Sequence, residues 1–373
     1  MAEITPICMP KWGLAMEEGM ITEWLVQPGA AITAGQDLVE IETSKITNVL
    51  EAPAAGVLRR IVAEPGATLP IGALLGLIAD GDLAEAELDA FVASFVVPEA
   101  IAGQDGDSGS PAPVQVETPY GTLALTMAGP EDGPPVLLVH GFGGGADNWM
   151  FVQPLLADRF RVAALDLPGH GDSYKVLPEG LDPAAAVAAA LAAAVAYLGA
   201  PVHLVGHSLG GGAALAFARS HPGDIASLTL VAPTGLGPEI SADYVADFLA
   251  AGRRKEMKAV LGLLLHDPGQ VSRDMVENVL RLKRMDGVQA SLKALAGSAF
   301  DGGTQRHDLR DAFAALPCPR ALVWGKGDRI IPADHAAGLP AQVRLTLLPD
   351  TGHLPHLEAP SQVAAAIRAC IDG

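Results

Sequence analysis

A strand that is apolar at nearly every position must be covered on both faces, and this chain carries five such runs. They are Val136-Leu137-Leu138-Val139, Val162-Ala163-Ala164-Leu165, Val202-His203-Leu204-Val205, Leu228-Thr229-Leu230-Val231 and Ala321-Leu322-Val323-Trp324. Runs of this kind mark a parallel sheet with helices packed on either side. Helical segments lie between them, including the Ala-rich stretch 184–200 and residues 211–219. Strand–helix alternation predicts a doubly wound α/β sheet over residues 114–373. The Ala-rich stretch is apolar enough to suggest a membrane span. It is shorter than the usual ~20 residues of a span, and Pro183 and Pro201 bound it. A packing helix and no membrane association are expected.

The first eighty residues follow another rule. Two segments superimpose with an offset of 37: Gly19-Met20-Ile21 on Gly56-Val57-Leu58, Pro28-Gly29-Ala30 on Pro65-Gly66-Ala67, Gly35 on Gly72, Leu38 on Leu75, and Ile41 on Ile78. Both copies read as short strands broken at Pro-Gly turns. Two copies are too few for a solenoid, so the expectation is a flattened β-barrel, two small sheets facing each other about a pseudo-twofold axis. The link between the copies holds Lys45, with Val39 and Ile41 before it and Val49 and Leu50 after it. That pattern puts the lysine at a hairpin tip.

Met9-Pro10-Lys11, Met16-Glu17-Glu18-Gly19, Trp24, the Pro-Gly turn and Glu40-Ile41-Glu42-Thr43-Ser44-Lys45 resemble the lipoyl domains of 2-oxoacid dehydrogenase complexes. The resemblance covers residues 1–79 and implies lipoate held as an amide on Lys45. Biotinyl domains share that fold but usually flank their lysine with methionines, which Thr43-Ser44-Lys45-Ile46 lacks. Residues 80–113 read as a short helix, 83–95, with Glu85, Glu87 and Asp89 on its outer face, then a Gly/Ser/Pro/Asp-rich tether. A tether suits a carrier that visits several sites. No basic helical subunit-binding module is visible here.

Composition excludes several classes. The formal charge of −19 argues against nucleic acid, whose phosphates need clustered Lys and Arg. Cys8, Cys318 and Cys370 are too few and too scattered for a disulfide framework or a metal knuckle, so no metal is expected. No secretory signal is evident at residues 1–6, and a cytoplasmic location is expected.

The chemistry gathers where strands end, as it does in open α/β sheets. Gly206-His207-Ser208-Leu209-Gly210 follows one apolar run and leads into a helix. This is the G-x-S-x-G turn that exposes a serine Oγ. Asp328 follows the run ending at Trp324, and His353 follows the run 345–348. The order Ser208, Asp328, His353 resembles that of the α/β-hydrolase family, which implies a nucleophile, an acid and a base in that order. His140-Gly141-Phe142-Gly143-Gly144 implies an oxyanion hole built from the Phe142 and Leu209 amides. Asp166-Leu167-Pro168-Gly169-His170-Gly171-Asp172-Ser173 is a further loop of that family. His356 is the second choice of base, and His170, His203 and His207 read as structural. A helical cap is expected at about 234–310. It collects Arg253, Arg254, Lys255, Lys258, Arg281, Lys283, Arg284 and Lys293. Solvated helix faces explain these cations, or else Arg253 and Arg254 receive the phosphates of coenzyme A.

A lipoyl domain fused to an α/β-hydrolase domain resembles the acyltransferase component of acetoin dehydrogenase complexes. The His-x-x-x-Asp-Gly signature of other complexes is missing, since His307-Asp308-Leu309-Arg310-Asp311-Ala312 ends in Ala. The resemblance implies acetyl transfer from lipoyl-Lys45 to coenzyme A through Ser208. It further implies a thiamine-diphosphate-dependent acetoin-cleaving partner, dihydrolipoamide dehydrogenase and a homo-oligomeric core. An esterase or thioesterase bearing a lipoyl tag, and a non-catalytic carrier or scaffold, stay open alternatives.

Overall fold

The computed structural model describes residues 4–10, 18–43, 47–79, 83, 85–95 and 113–373. The chain divides into two compact units, Met1–Ser110 and Pro111–Gly373.

The first unit holds β1 (Ile4–Cys8), β2 (Glu18–Trp24), β3 (Ala31–Ile32), β4 (Asp37–Glu42), β5 (Thr47–Glu51), β6 (Gly56–Ile61), β7 (Thr68–Pro70) and β8 (Leu74–Ala79). They make two four-stranded sheets, ordered β1-β8-β6-β3 and β5-β4-β2-β7. Exchanging each strand for its counterpart in the other copy converts one order into the other, so the sequence repeat is a structural twofold. Hydrogen bonds repeat with it. Ile21 N donates to Ala67 O at 2.9 Å and Leu58 N to Ala30 O at 3.0 Å, while Gly66 N reaches Ile21 O and Gly29 N reaches Leu58 O. Gly29 and Gly66 have φ of 90° and 88°, a left-handed conformation that the Pro-Gly turn needs and glycine takes without strain. The core between the sheets contains Ile7, Met9, Ile21, Trp24, Leu38, Ile41, Leu58, Leu75 and Ile78. Trp24 is accommodated because its indole N–H donates to Ala63 O at 2.9 Å.

Strands β4 and β5 pair antiparallel as far as Glu42 opposite Thr47. Lys45, with Ser44 and Ile46, lies outside the described residues, as does most of the expected tether. The helix after β8 is α1 (Glu85–Ser94), and its Glu85, Glu87 and Asp89 are exposed, as expected. Its Glu85 and Asp89 turn to Arg60 on β6, and Leu88 is buried.

The second unit is an eight-stranded sheet of β9 (Val114–Thr118), β10 (Gly121–Ala128), β11 (Pro135–Val139), β12 (Arg161–Leu165), β13 (Val202–His207), β14 (Ile225–Val231), β17 (Arg320–Gly325) and β18 (Val343–Leu348), ordered β18-β17-β14-β13-β11-β12-β10-β9. The six strands from β12 to β18 in that order are parallel. Strands β9 and β10 add an antiparallel edge, which makes the sheet mixed. Alternate residues of the apolar runs, such as Val136, Leu138, Val205, Val231 and Val323, share one core with Trp149, Phe160, Val363 and Ile367. The intervening residues face the other side, as strand geometry requires.

The Ala-rich stretch is the helix α2 (Pro183–Leu198), capped by Asp182 accepting from Ala184 N and ended by Gly199 at φ 86°. It buries Ala186, Ala190, Leu191, Ala194 and Leu198, the spacing of one helix face. No helix among the described residues is long and apolar enough to cross a membrane. Helix α3 (Ser208–Ser220) follows β13 directly. Between β14 and β17 come α4 (Ala242–Ala250), α5 (Arg254–Gly262), α6 (Arg273–Lys283), α7 (Val288–Ala299), the two-residue pair β15 (Phe300–Asp301) and β16 (Thr304–Gln305), and α8 (Arg310–Ala315). The chain ends in α9 (Pro360–Asp372).

Candidate active site

Strand β13 delivers Ser208 to the carboxyl edge of the sheet at φ 51°, a left-handed conformation that costs a side-chain-bearing residue about 1–3 kcal/mol. Close packing holds it there. A Cβ on Gly206 would lie 2.6 Å from Gly210 O, and one on Gly210 would lie 2.2 Å from His140 O. Only glycine permits so tight a turn from strand to helix.

Two loops from neighbouring strands meet the serine. Ser208 Oγ lies 2.9 Å from His353 Nε2, and His353 Nδ1 lies 2.8 Å from Asp328 Oδ2. Asp328 Oδ1 accepts from the backbone amides of Ile330 and Ile331, and its Oδ2 also accepts from Trp324 Nε1 at 2.9 Å. The Asp328 side chain is fully buried and His353 nearly so. With Nδ1–H donating to the carboxylate, His353 Nε2 is left as an acceptor for the serine proton, the orientation general-base catalysis needs.

The third loop is 140–145. A Cβ on Gly141 would stand 2.9 Å from Ser208 Cβ, so this loop abuts the serine and carries Phe142 with it. The Leu209 amide lies in the first turn of α3, where no intrahelical acceptor exists. The loop 166–173, whose His170 reads as structural in the sequence, buttresses loop 140–145. His170 Nε2 accepts from Gly143 N at 3.1 Å while its Nδ1–H donates to Pro168 O. His140 Nε2 accepts from Leu167 N at 3.0 Å, and its Nδ1–H donates to Gly141 O. Both arrangements require neutral imidazoles. Burial enforces them, holding His140 below its ordinary pKa and His170 down at about 3. Asp166 completes the buttress by accepting from Ala146 N at 2.7 Å and Asp172 N at 2.8 Å.

Glu358 is a second carboxylate the sequence did not single out. It accepts from Gly352 N at 2.7 Å and His266 N at 2.6 Å, tying the His353 loop to the cap. Its burial pushes its pKa up. His353 N also donates to Leu264 O. The remaining histidines sort by geometry. His356 is fully buried between Trp149 and His207, and neither ring nitrogen has a hydrogen-bond partner among the described residues. It is His353, not His356, that meets Ser208. His207 Nε2–H donates to His353 O at 2.8 Å, and His203 pairs with the Ser227 hydroxyl.

On the cap, Phe248 of α4 packs against Phe142 with ring centroids 5.3 Å apart. Arg253 pairs with Glu256 and Arg254 with Glu277, so both cations expected to meet phosphates already have carboxylate partners. Lys283 departs from the solvated-face reading. It is buried, and its ammonium donates to the carbonyls of Phe248, Leu249 and Ala251, capping the carboxyl end of α4.

A strained serine at a strand–helix turn, hydrogen-bonded to a histidine and then to an aspartate, on a mixed sheet with a helical insertion, defines an α/β hydrolase scaffold. Residues 136–366 match the alpha/beta hydrolase family, and residues 5–78 match a family described as biotin-requiring enzymes. The chain is 43% identical, over 97% of its own length and 97% of the relative's, to the dihydrolipoyllysine-residue acetyltransferase component of the acetoin cleaving system of Pseudomonas putida. Its identity to the Cupriavidus necator component of the same description is 39%, over 99% of this chain and 98% of that one. A meta-cleavage product hydrolase from Pseudomonas fluorescens IP01 shares the fold at a TM-score of 0.62 and 18% identity, covering 70% of this chain and 98% of the other. The chain belongs to the alpha/beta hydrolase family and, within it, to the dihydrolipoyllysine-residue acetyltransferase components of acetoin cleaving systems.

Proposed function

We propose that this protein moves an acetyl group from the lipoyl arm on Lys45 to coenzyme A, as the acetyltransferase component of an acetoin cleaving system. The observation that carries the reading is the match to the Pseudomonas putida component across both units. The flanks of Lys45 fit a covalently held arm: the β4–β5 ladder closes at Glu42 and Thr47, with four residues between them in the chain, and its core-facing side is filled by Val39 and Ile41. Amide-linked to Lys45, a lipoyl group supplies the thiol that carries acetyl as a thioester.

The chain's own residues then act in order. Ser208 Oγ attacks the thioester carbonyl as His353 Nε2 takes its proton, and the Asp328 carboxylate stabilises the imidazolium that forms. The Phe142 and Leu209 amides receive the oxyanion, each such donor being worth about 10²–10³ in rate. His353 returns the proton to the leaving thiolate, which leaves acetyl-Ser208. The coenzyme A thiol enters, His353 takes its proton, the sulfur attacks the acetyl carbonyl, and Ser208 leaves with the proton handed back. The partners in this reading are the acetoin-cleaving and dihydrolipoamide-oxidising enzymes.

An esterase shares these groups and differs only in accepting water. Incubating the protein with S-acetyl-dihydrolipoamide, with and without coenzyme A, separates the two. Acetyl-CoA formation that outpaces acetate release supports transfer; acetate release at the same rate regardless of coenzyme A overturns it. Intact mass of the natively produced protein tests the lipoyl amide on Lys45.

A further inference from the structure

The cap meets the acid and the base along one short strip. Residues 262–266 leave the carboxyl end of α5 and run against both the Asp328 loop and the His353 loop. Glycines permit the approach: a Cβ on Gly352 would lie 2.6 Å from Leu264 O, and one on Gly327 would lie 2.7 Å from His266 Nδ1. Arg329, next to the acid, donates to Gly262 O and to Leu265 O. His353 donates its own backbone N–H to Leu264 O at 2.7 Å. Glu358 spans the two sides, Oε2 accepting from Gly352 N at 2.7 Å and Oε1 from His266 N at 2.6 Å. We propose that Glu358 is a positioning residue for His353, and that the strip 262–266, clasped by Glu358 and Arg329, sets where the imidazole stands against Ser208, a reading that rests on His353 acting as general base to that serine.

A catalytic group must be held to within about 0.5 Å by what surrounds it. The bonds from Nδ1 to Asp328 and from Nε2 to Ser208 hold the ring alone, not the backbone from which it swings. That backbone lies in no helix or strand, since β18 ends at Leu348 and the next short helix begins at Pro355. It takes its place from its hydrogen bonds, and the N–H groups of Gly352 and His353 both end on the clasp. Gly327 N also donates to Thr351 O at 2.9 Å, which links the acid and base loops to one another. The bonding dictates what residue 358 must be. Backbone N–H groups cannot reverse their role, so both side-chain oxygens have to accept. A carboxylate does so, whereas a glutamine of the same size turns an NH₂ towards one of the two donors. Arg329 does the matching work on the other side, its guanidinium meeting carbonyls at the end of α5 that lack intrahelical donors.

The test uses the full-length protein. Glu358→Gln should lower the limiting rate of fluorophosphonate labelling at Ser208 about tenfold, the scale of one charge-assisted hydrogen bond, with the half-saturating probe concentration unchanged. Glu358→Ala, which loses both bonds, should lower it about a hundredfold, as a misplacement of roughly 1 Å does. Arg329→Met should slow labelling too, and the double variant by less than the product of the two effects, because one strip serves both. Arg320→Met is the control for lost stability: it removes bonds to Phe313 O and Ala314 O at the opposite end of β17, so its Tm should fall while its labelling rate is kept. A second readout is the proton between His353 Nδ1 and Asp328, expected as a resonance downfield of the amides in the wild type and lost to solvent exchange in Glu358→Gln. Glutamine that labels at the wild-type rate, or Arg320→Met that slows as much as Glu358→Gln, overturns the proposal. Should wild-type Ser208 resist the probe, the serine reading fails and the proton alone decides the clasp: present in the wild type and lost in Glu358→Gln supports it, and any other pattern refutes it.

Discussion

Asp328→Asn is the sharpest probe of the site, because its surroundings dictate how the new amide must sit. The backbone N–H groups of Ile330 and Ile331 both point at Oδ1, so the asparagine oxygen has to take that place. Its NH₂ then occupies the Oδ2 position, facing Trp324 Nε1 and His353 Nδ1. A donor there favours the histidine tautomer with Nδ1 bare and the proton on Nε2, which cannot accept from Ser208. The imidazolium of the transition state also loses the carboxylate it touches, and with the two charge centres about 4 Å apart that attraction is worth about 4 kcal/mol at an effective dielectric of 20. That alone is about a thousandfold at ~1.4 kcal/mol per decade, and the wrong tautomer deepens the loss towards ~10⁴. The assay is the rate of fluorophosphonate labelling of Ser208 alongside acetyl transfer at saturating coenzyme A. A buried N–H facing an NH₂ costs about 1–3 kcal/mol, so a Tm reduction accompanies it. A folded variant that keeps labelling within tenfold of wild type would refute the reasoning.

Three further perturbations test the supports. His356 makes no hydrogen bond among the described residues, and burial holds its pKa at about 3 against an ordinary 6.5. A depressed histidine contributes stability that is complete above pH 6.5 and is lost as pH falls towards 3, so His356→Phe should lose about 2 kcal/mol less than wild type between pH 7 and 5. Denaturant titrations at the two pH values read this, and identical slopes of stability with pH would contradict it. Gly143→Ala puts a methyl 2.2 Å from Phe248 Cζ at a φ of 72°, and should cost roughly 2–4 kcal/mol in strain and overpacking. Its Tm should fall together with the rate of serine labelling. Lys283→Met strands three buried carbonyls at the end of α4, and amide exchange in residues 242–251 should accelerate at least tenfold while the strands of the sheet keep their protection.

The sheet was readable because its central strands are apolar at nearly every position and alternate with helical segments, as at 136–139 and 202–205. The barrel was readable because duplication puts Gly29 and Gly66, or Leu38 and Leu75, at a fixed offset. Ser208, His353 and Asp328 stood out by order and by the small residues around them. What escaped notice were carboxylates and cations whose partners lie far away in sequence. Glu358 accepts from an amide 92 residues back. In sequence such residues look like ordinary surface acids. Lys283 looked like a solvated lysine for the same reason, since carbonyls 32 to 35 residues earlier hold it. Strands β9 and β10 alternate weakly, as an edge pair does, and made no distinct signal.

The twofold of the carrier unit has a mechanical consequence. Glu42 opposite Thr47 closes the ladder before Lys45, and its symmetry mate is Ala79 opposite Ile4, where the chain enters and leaves. One pole carries the connection between β4 and β5 and the other the outer ends of β1 and β8, and they belong to different sheets. Any pull arriving from the rest of the polypeptide is therefore taken up by β1 and β8, while β4 and β5, which present the cargo lysine, are spared the tension.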